Sequence, residues 1–348
     1  MSAGVSRELL ARIPKAELHC HLDGSVRPAT LIDLAREQGT TMPRSTPAEL
    51  AAYMLVSDAR DLEEYLERFE VTLSVMQTEA ALERIAYELA IDAFADGVRY
   101  LEVRYCPTLN QLRGLELGAT IEAPLRGLAR AERETGIVAR TIVTALRTKP
   151  PEESVRLARL ATEYRARGVV GFDLAGGEAG FPASAHERAF LFAREHDMAC
   201  TCHAGEGAGA QSVREAVHHC GAHRIGHATR LIEDPALVDY VAEHQIALEI
   251  CLTSNVQTRV TESYERHPFR RYFDEGLNVV LNTDNRLMSG VTLVDEYAAA
   301  ADHLAFTVDE LCDVALNGFE SAFLPWHEKQ ALLLKVTPEI DALRAFSG

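Results

Sequence analysis

From Glu79 onward the chain alternates between helical and strand-like segments, and several of the helical ones stop at a glycine, which is the expected terminator of a helix. Glu79–Ala95 runs into Gly97 and is followed by an extended Val98–Arg104. Leu117–Glu134 stops at Gly136 before Ile137–Leu146, and Glu152–Arg167 stops at Gly168 before Val169–Leu174. The alternation continues through Ala185–His196 and Met198–His203, Val213–Cys220 and Arg224–His227, Pro235–His244 and Ile246–Cys251, then Pro268–Glu275, Gly276 and Leu277–Asn282. A further strand after Pro14 brings the count to eight. Strict alternation implies parallel strands joined by right-handed crossovers. Eight such units fit an α/β fold of the (β/α)8 TIM-barrel type, with a doubly wound sheet as the alternative.

Additional helices flank this core. One opens at Pro28 and runs over Ala29–Glu37. A polar helical stretch from Pro43 to Met76 carries Leu62, Tyr65, Leu66 and Phe69 at helical spacing. Its ordinary reading is a surface helix burying that stripe. Its position just after the first strand suggests a second role as a lid. Thr307-Val308-Asp309-Glu310 is a capping box that starts the final helices, which are expected to pack on the barrel wall. No linker or low-complexity segment interrupts residues 1–348, so a single domain is expected.

A formal net charge of −17 argues against a nucleic-acid backbone or an anionic membrane as partner, since both select basic surfaces. There is no apolar run near the length of a membrane span, and Met1–Arg12 lacks the apolar core of a secretion signal. The seven cysteines form no C-x-x-C pair and several lie in apolar segments, as expected of reduced thiols in a cytoplasmic protein. Oligomeric state is not legible.

The chemistry collects at the strand ends. His19 and His21 in Glu17-Leu18-His19-Cys20-His21-Leu22-Asp23-Gly24 are two apart, and alternate residues of a strand face the same side. His203 and Glu206 occur in His-Ala-Gly-Glu, His227 closes Arg-Ile-Gly-His, and Asp284 lies in Asn-Thr-Asp-Asn. Each has an ordinary explanation alone, because a lone histidine is usually a hydrogen-bonded core residue and a lone aspartate usually caps a helix. Four strand ends contributing such residues at once point to the C-terminal mouth of a barrel, where barrel active sites form. Three imidazoles and a carboxylate suit an open catalytic site for zinc or another late divalent ion.

These motifs, in this order, resemble those of the adenosine deaminases and their close relatives, over about Pro14 to Lys335. The resemblance implies a (β/α)8 barrel with one Zn2+ per chain, converting adenosine or 2′-deoxyadenosine and water to inosine or 2′-deoxyinosine and ammonia. It implies His19, His21, His203 and Asp284 as metal ligands, with His21 also beside the substrate. Glu206 corresponds to the proton donor to purine N1 and His227 to the residue that orients and deprotonates the attacking water. Asp23 corresponds to the ribose contact, and Gly176 to the glycine whose N–H meets purine N3. The partner implied is a small purine nucleoside.

The chemistry has a physical logic. C6 is a poor electrophile while the purine stays aromatic, and protonating N1 as the nucleophile adds removes that obstacle; a dry pocket favours the protonated carboxyl this needs. Asn285 stands where family members often carry a second aspartate, and Ala228 where many have glycine. An amide is a permanent neutral donor, so Asn285 suits the acceptor N7 without titration; its ordinary reading is a loop cap before Arg286. Two other readings compete: deamination of a different 6-aminopurine (free adenine or aminodeoxyfutalosine), which Asp23 disfavours for the free base, and a purine-binding protein on a catalytically dead barrel, which needs no Glu206. The cytidine and tRNA deaminase signature, His-x-Glu with Pro-Cys-x-x-Cys, is absent from the sequence.

Overall fold

The computed structural model describes residues 5–56 and 68–344. Its core is an eight-stranded parallel sheet with strands in chain order. The strands are β1 (Lys15–His21), β2 (Val98–Tyr105), β3 (Val138–Leu146), β4 (Val169–Ala175), β5 (Ala199–Ala204), β6 (Arg224–His227), β7 (Ala247–Ile250) and β8 (Val279–Leu281). The sheet closes between β8 and β1. Cys20 bridges to Asp284, and the Leu18 and His19 amides donate to Asn282 Oδ1 at 2.7 and 3.1 Å. β8 begins at Val279 and ends at Leu281, inside the expected Leu277–Asn282; at Asn282 a side-chain oxygen replaces the backbone ladder toward β1.

The helices follow their sequence signals with local corrections. Glu79–Ala95 is a single helix as expected, and Leu117–Thr135 stops at Gly136, whose φ of 81° is left-handed. The segment expected as one helix over Glu152–Arg167 instead ends at Glu163, and a 3₁₀ turn over Arg165–Arg167 leads into Gly168. Ala185–His196 likewise divides into a 3₁₀ turn, Ala183–His186, and the helix Glu187–Glu195. Such tightening of terminal turns is common where the chain must reverse abruptly. The Pro43–Met76 stretch contains the helices Pro47–Met54 and Phe69–Leu73; Leu62, Tyr65 and Leu66 lie outside the described residues. Both halves of the Thr307–Glu310 capping box form. The helix it starts, Val308–Glu320, lies against the barrel: a Cβ on Gly318 would come 3.1 Å from Ala16 and 3.3 Å from Val280.

The barrel interior is ionic. Arg104 from β2 donates to Glu249 Oε2 of β7 at 2.8 Å, Arg224 from β6 donates to Glu249 Oε1 at 2.7 Å, and Arg224 also pairs with Glu102. All four side chains are buried. Charges out of water persist only when paired and hydrogen-bonded, so this network fixes the registers of β2, β6 and β7 beneath the mouth. Among the described residues no helix is long and apolar enough to cross a membrane.

Candidate active site

β1 aims His19 and His21 the same way, as alternate positions on a strand must. β5 brings His203 across the barrel, and the chain leaving β8 brings Asp284. One ligand-type atom from each of these four residues lies within 4.8 Å of all the others. His19 Nε2 and His21 Nε2 are each 3.3 Å from Asp284 Oδ1, and the Nε2 atoms of His21 and His203 are 3.1 Å apart.

The outer ring nitrogens are already committed. His19 Nδ1 meets Glu249 Oε2 at 2.9 Å and His203 Nδ1 meets Asp173 Oδ1 at 3.1 Å. A carboxylate can only accept, so both Nδ1 atoms carry the proton and both Nε2 lone pairs point inward. This is the usual outer support of metal-bound imidazoles. On Asp284, Oδ2 accepts from the Ser254 hydroxyl at 2.7 Å, leaving Oδ1 to the cluster.

The donor set fits a divalent cation on an observation independent of motif. His19 Nε2 is fully buried with no hydrogen-bond partner, a costly state for a polar atom unless something binds it. Burial pushes the His21, His203 and His227 pKa values below the ordinary 6.5, which favours neutral, ligating imidazole. His19 differs: burial again works downward, but the Asp284 and Glu249 carboxylates outweigh it and raise the pKa. The site thus attracts positive charge to His19. Burial also opposes ionisation of Glu249, yet Arg104 and Arg224 hold its carboxyl well below the usual range.

Above the cluster opens a cavity of about 370 Å³ whose wall includes Asp23, Gly176, Glu206, His227 and Asn285. All the substrate-side residues named from the sequence therefore meet in one space with His21, His203 and Asp284; His19 lies fully buried beneath. Glu206 is buried, and its Oε2 is 3.5 Å from His227 Nε2. Burial pushes the Asp23 carboxyl up to about 7. Phe69 and Leu73, from the described end of the Pro43–Met76 stretch, line this cavity. No lysine or arginine occurs among the described lining residues.

Backbone strain concentrates here. His227, Ala228 and Asp284 have φ of 63°, 54° and 59°, a region that favours glycine and that side chains occupy at a cost when a site requires it. Ala228 thus holds a left-handed position without being glycine. Asn285 precedes the short helix Arg286–Ser289, but its side chain makes no capping bond. Its Oδ1 is buried without a hydrogen-bond partner, and a Cβ on Gly24 would fall 1.7 Å from it. The loop-cap reading of Asn285 is therefore incorrect, and Gly24 is required where it packs.

Sequence reasoning missed the supporting residues. Asp173 and Glu249 left a signal, each being an acid inside an apolar strand. Glu178 left none: it follows β4, yet its carboxylate accepts the Gly205, Glu206 and Ala208 amides at 2.8, 2.9 and 3.0 Å.

A family model described as adenosine deaminase matches residues 14–339. A probable adenosine deaminase of Dictyostelium discoideum is 41% identical over 92% of this chain, which spans 42% of that relative's length. An adenosine deaminase of Clostridium acetobutylicum is 38% identical, covering 95% of this chain and 99% of the relative. Among solved structures, an amidohydrolase of Burkholderia ambifaria with bound Zn superposes with a TM-score of 0.90 at 29% identity, over 99% of this chain and 96% of the other.

Proposed function

This chain belongs to the adenosine deaminase family, and from that premise we propose how its site performs the reaction. The enzyme is a hydrolase of the cyclic amidine C–N bond, converting adenosine and water to inosine and ammonia. The observation that carries the residue assignment is the convergence of Glu206 and His227 with His21, His203 and Asp284 of the four-residue cluster on one cavity.

His19, His21, His203 and Asp284 would hold one Zn2+ per chain. Imidazole nitrogen and carboxylate oxygen are ligand atoms that zinc accepts, and the related amidohydrolase carries that metal. When bound, the metal supplies Lewis acidity that makes water a competent nucleophile near neutral pH. His227 holds the attacking oxygen against C6. Glu206 gives its proton to N1 as the new C–O bond forms, so negative charge never builds on the ring. The proton shed by the water restores Glu206, and collapse of the tetrahedral carbon breaks C6–N as the hydroxyl proton passes to the departing amine, which leaves as ammonia.

Asp23 accepts from a ribose hydroxyl, the Gly176 N–H meets N3, and Asn285 donates to N7. Gly176 has a φ of 94°, so glycine is required there. The apolar side of the cavity, including Leu109, Leu146 and Phe181, suits a flat purine, and the lack of a cation on the described wall suits a nucleoside without phosphate. 2′-Deoxyadenosine is included as a substrate. We assign the chain as one catalytic domain. The buried, unbridged cysteines are in keeping with a cytoplasmic enzyme. A panel of adenosine, 2′-deoxyadenosine, adenine and aminodeoxyfutalosine, each assayed for ammonia release, tests this reading. The nucleosides should exceed adenine by orders of magnitude in kcat/KM, and preference for adenine would overturn the Asp23 assignment.

A further inference from the structure

Behind His227 a buried chain of hydrogen bonds has its direction set by the backbone. The Phe269 N–H donates to His267 Nδ1 at 3.1 Å. A backbone N–H can only donate, so His267 Nδ1 bears no proton and the neutral ring carries it on Nε2. Burial keeps that ring neutral, with a pKa pushed down to about 3. His267 Nε2 therefore donates to Asn255 Oδ1, 3.1 Å away, which also accepts from the Thr229 hydroxyl at 2.8 Å. This fixes which end of the Asn255 amide is which, since the opposite orientation would set its N–H groups against the His267 N–H. The Asn255 Nδ2 then faces His227 Nδ1 at 3.0 Å and must donate to it. Asn255 is fully buried and His267 and His227 nearly so, which shields these links from bulk solvent.

We propose that Asn255 and His267 are positioning residues that lock His227 as its Nε2–H tautomer, making it a hydrogen-bond donor to the attacking oxygen and not an acceptor of that oxygen's proton. In this form His227 Nε2, 3.5 Å from Glu206 Oε2, has no lone pair to offer. It stabilises negative charge as the oxygen adds to C6, in the manner of a preorganised oxyanion donor. Taking the proton would require an acceptor opposite Nδ1, and the backbone amide of Phe269, acting through His267, puts a donor there. The inference rests on the deaminase reading for the identity of the oxygen; the chain of donors itself does not.

The test is a long-range 1H–15N spectrum of the zinc-loaded protein labelled with 15N-histidine, with the His227 signals identified by their loss in His227→Gln. The expected pattern is an unprotonated Nδ1 and a protonated Nε2. A protonated Nδ1 would overturn the proposal. His267→Leu removes the anchor, so the Asn255 amide can turn and the His227 pattern should become mixed; an unchanged pattern would remove His267 from the chain. Asn255→Asp places an acceptor opposite Nδ1. It should move the proton to Nδ1 and lower kcat about 10²–10³-fold, with metal content and KM for adenosine nearly unchanged. A normal kcat in a metal-replete Asn255→Asp enzyme would refute the role, and if that variant does not fold the wild-type spectrum decides alone. The spectrum needs no turnover, so a wrong tautomer overturns this inference with the deaminase reading intact. Failure to release ammonia from adenosine would do the reverse.

Discussion

Glu178→Gln should weaken both the fold and the catalyst while leaving metal binding alone. The Glu178 carboxylate is buried and takes three backbone N–H donors, Gly205 on Oε1 and both Glu206 and Ala208 on Oε2. A glutamine of the same shape keeps only one acceptor oxygen. In its better orientation that oxygen serves Glu206 and Ala208, and the new amide N–H groups confront the Gly205 N–H. One buried donor left facing another costs about 1–3 kcal/mol. The loss reaches chemistry because the clamped loop begins just after His203 and carries Glu206. A shift of the acid by a fraction of an ångström toward or away from N1 should lower kcat roughly 10–100-fold. Urea denaturation gives the stability term, and steady-state rates at fixed zinc content give the other. If Glu178→Gln matches the wild type in both, the clamp is not what holds Glu206.

The other predictions are these. Asp173→Asn removes the carboxylate that fixes the His203 tautomer and should weaken zinc binding about 10–100-fold, read by competition with a chromophoric chelator; unchanged affinity would show that His203 needs no such support. Asn285→Ala should strongly reduce turnover of adenosine yet barely alter that of 7-deazaadenosine, which lacks the N7 acceptor; equal losses would mean that Asn285 shapes the loop only. Lys15 is buried with its Nζ donating to Ile13 O at 2.7 Å, and burial lowers its pKa from 10.5 to about 7. The unfolded chain then binds more protons than the folded one between those values, so stability should rise with pH from about 7 to 10.5 on this account; Lys15→Met should flatten that rise in denaturation midpoints, and an unchanged slope would place its origin elsewhere.

What the sequence disclosed and what it withheld divide along physical lines. Glycine stops, alternation and helical periodicity are local, so the strand–helix order and the barrel were legible from Glu79 onward. The clustering of His19, His21, His203 and Asp284 was legible because polar groups are conspicuous at the ends of apolar strands. Exact element ends were not, since the break after Glu163 and the early end of β8 depend on tertiary partners such as Asn282 receiving the β1 amides. Asn285 read as an N7 donor with a loop cap as the alternative, and the absence of a capping bond and its packing on Gly24 removed that alternative. Glu178 and Asn255 were invisible because their partners, the loop after β5 and His227, lie about 30 residues away.

The most direct test of the account is a single preparation measured for zinc and for ammonia release from adenosine, before and after chelation, beside its His203→Ala variant. About one zinc per chain, one ammonia per inosine formed, loss of both metal and activity in the variant, and recovery of the chelated wild type on adding zinc are the results expected. Full activity in demonstrably metal-free protein, or normal turnover by His203→Ala, would contradict it.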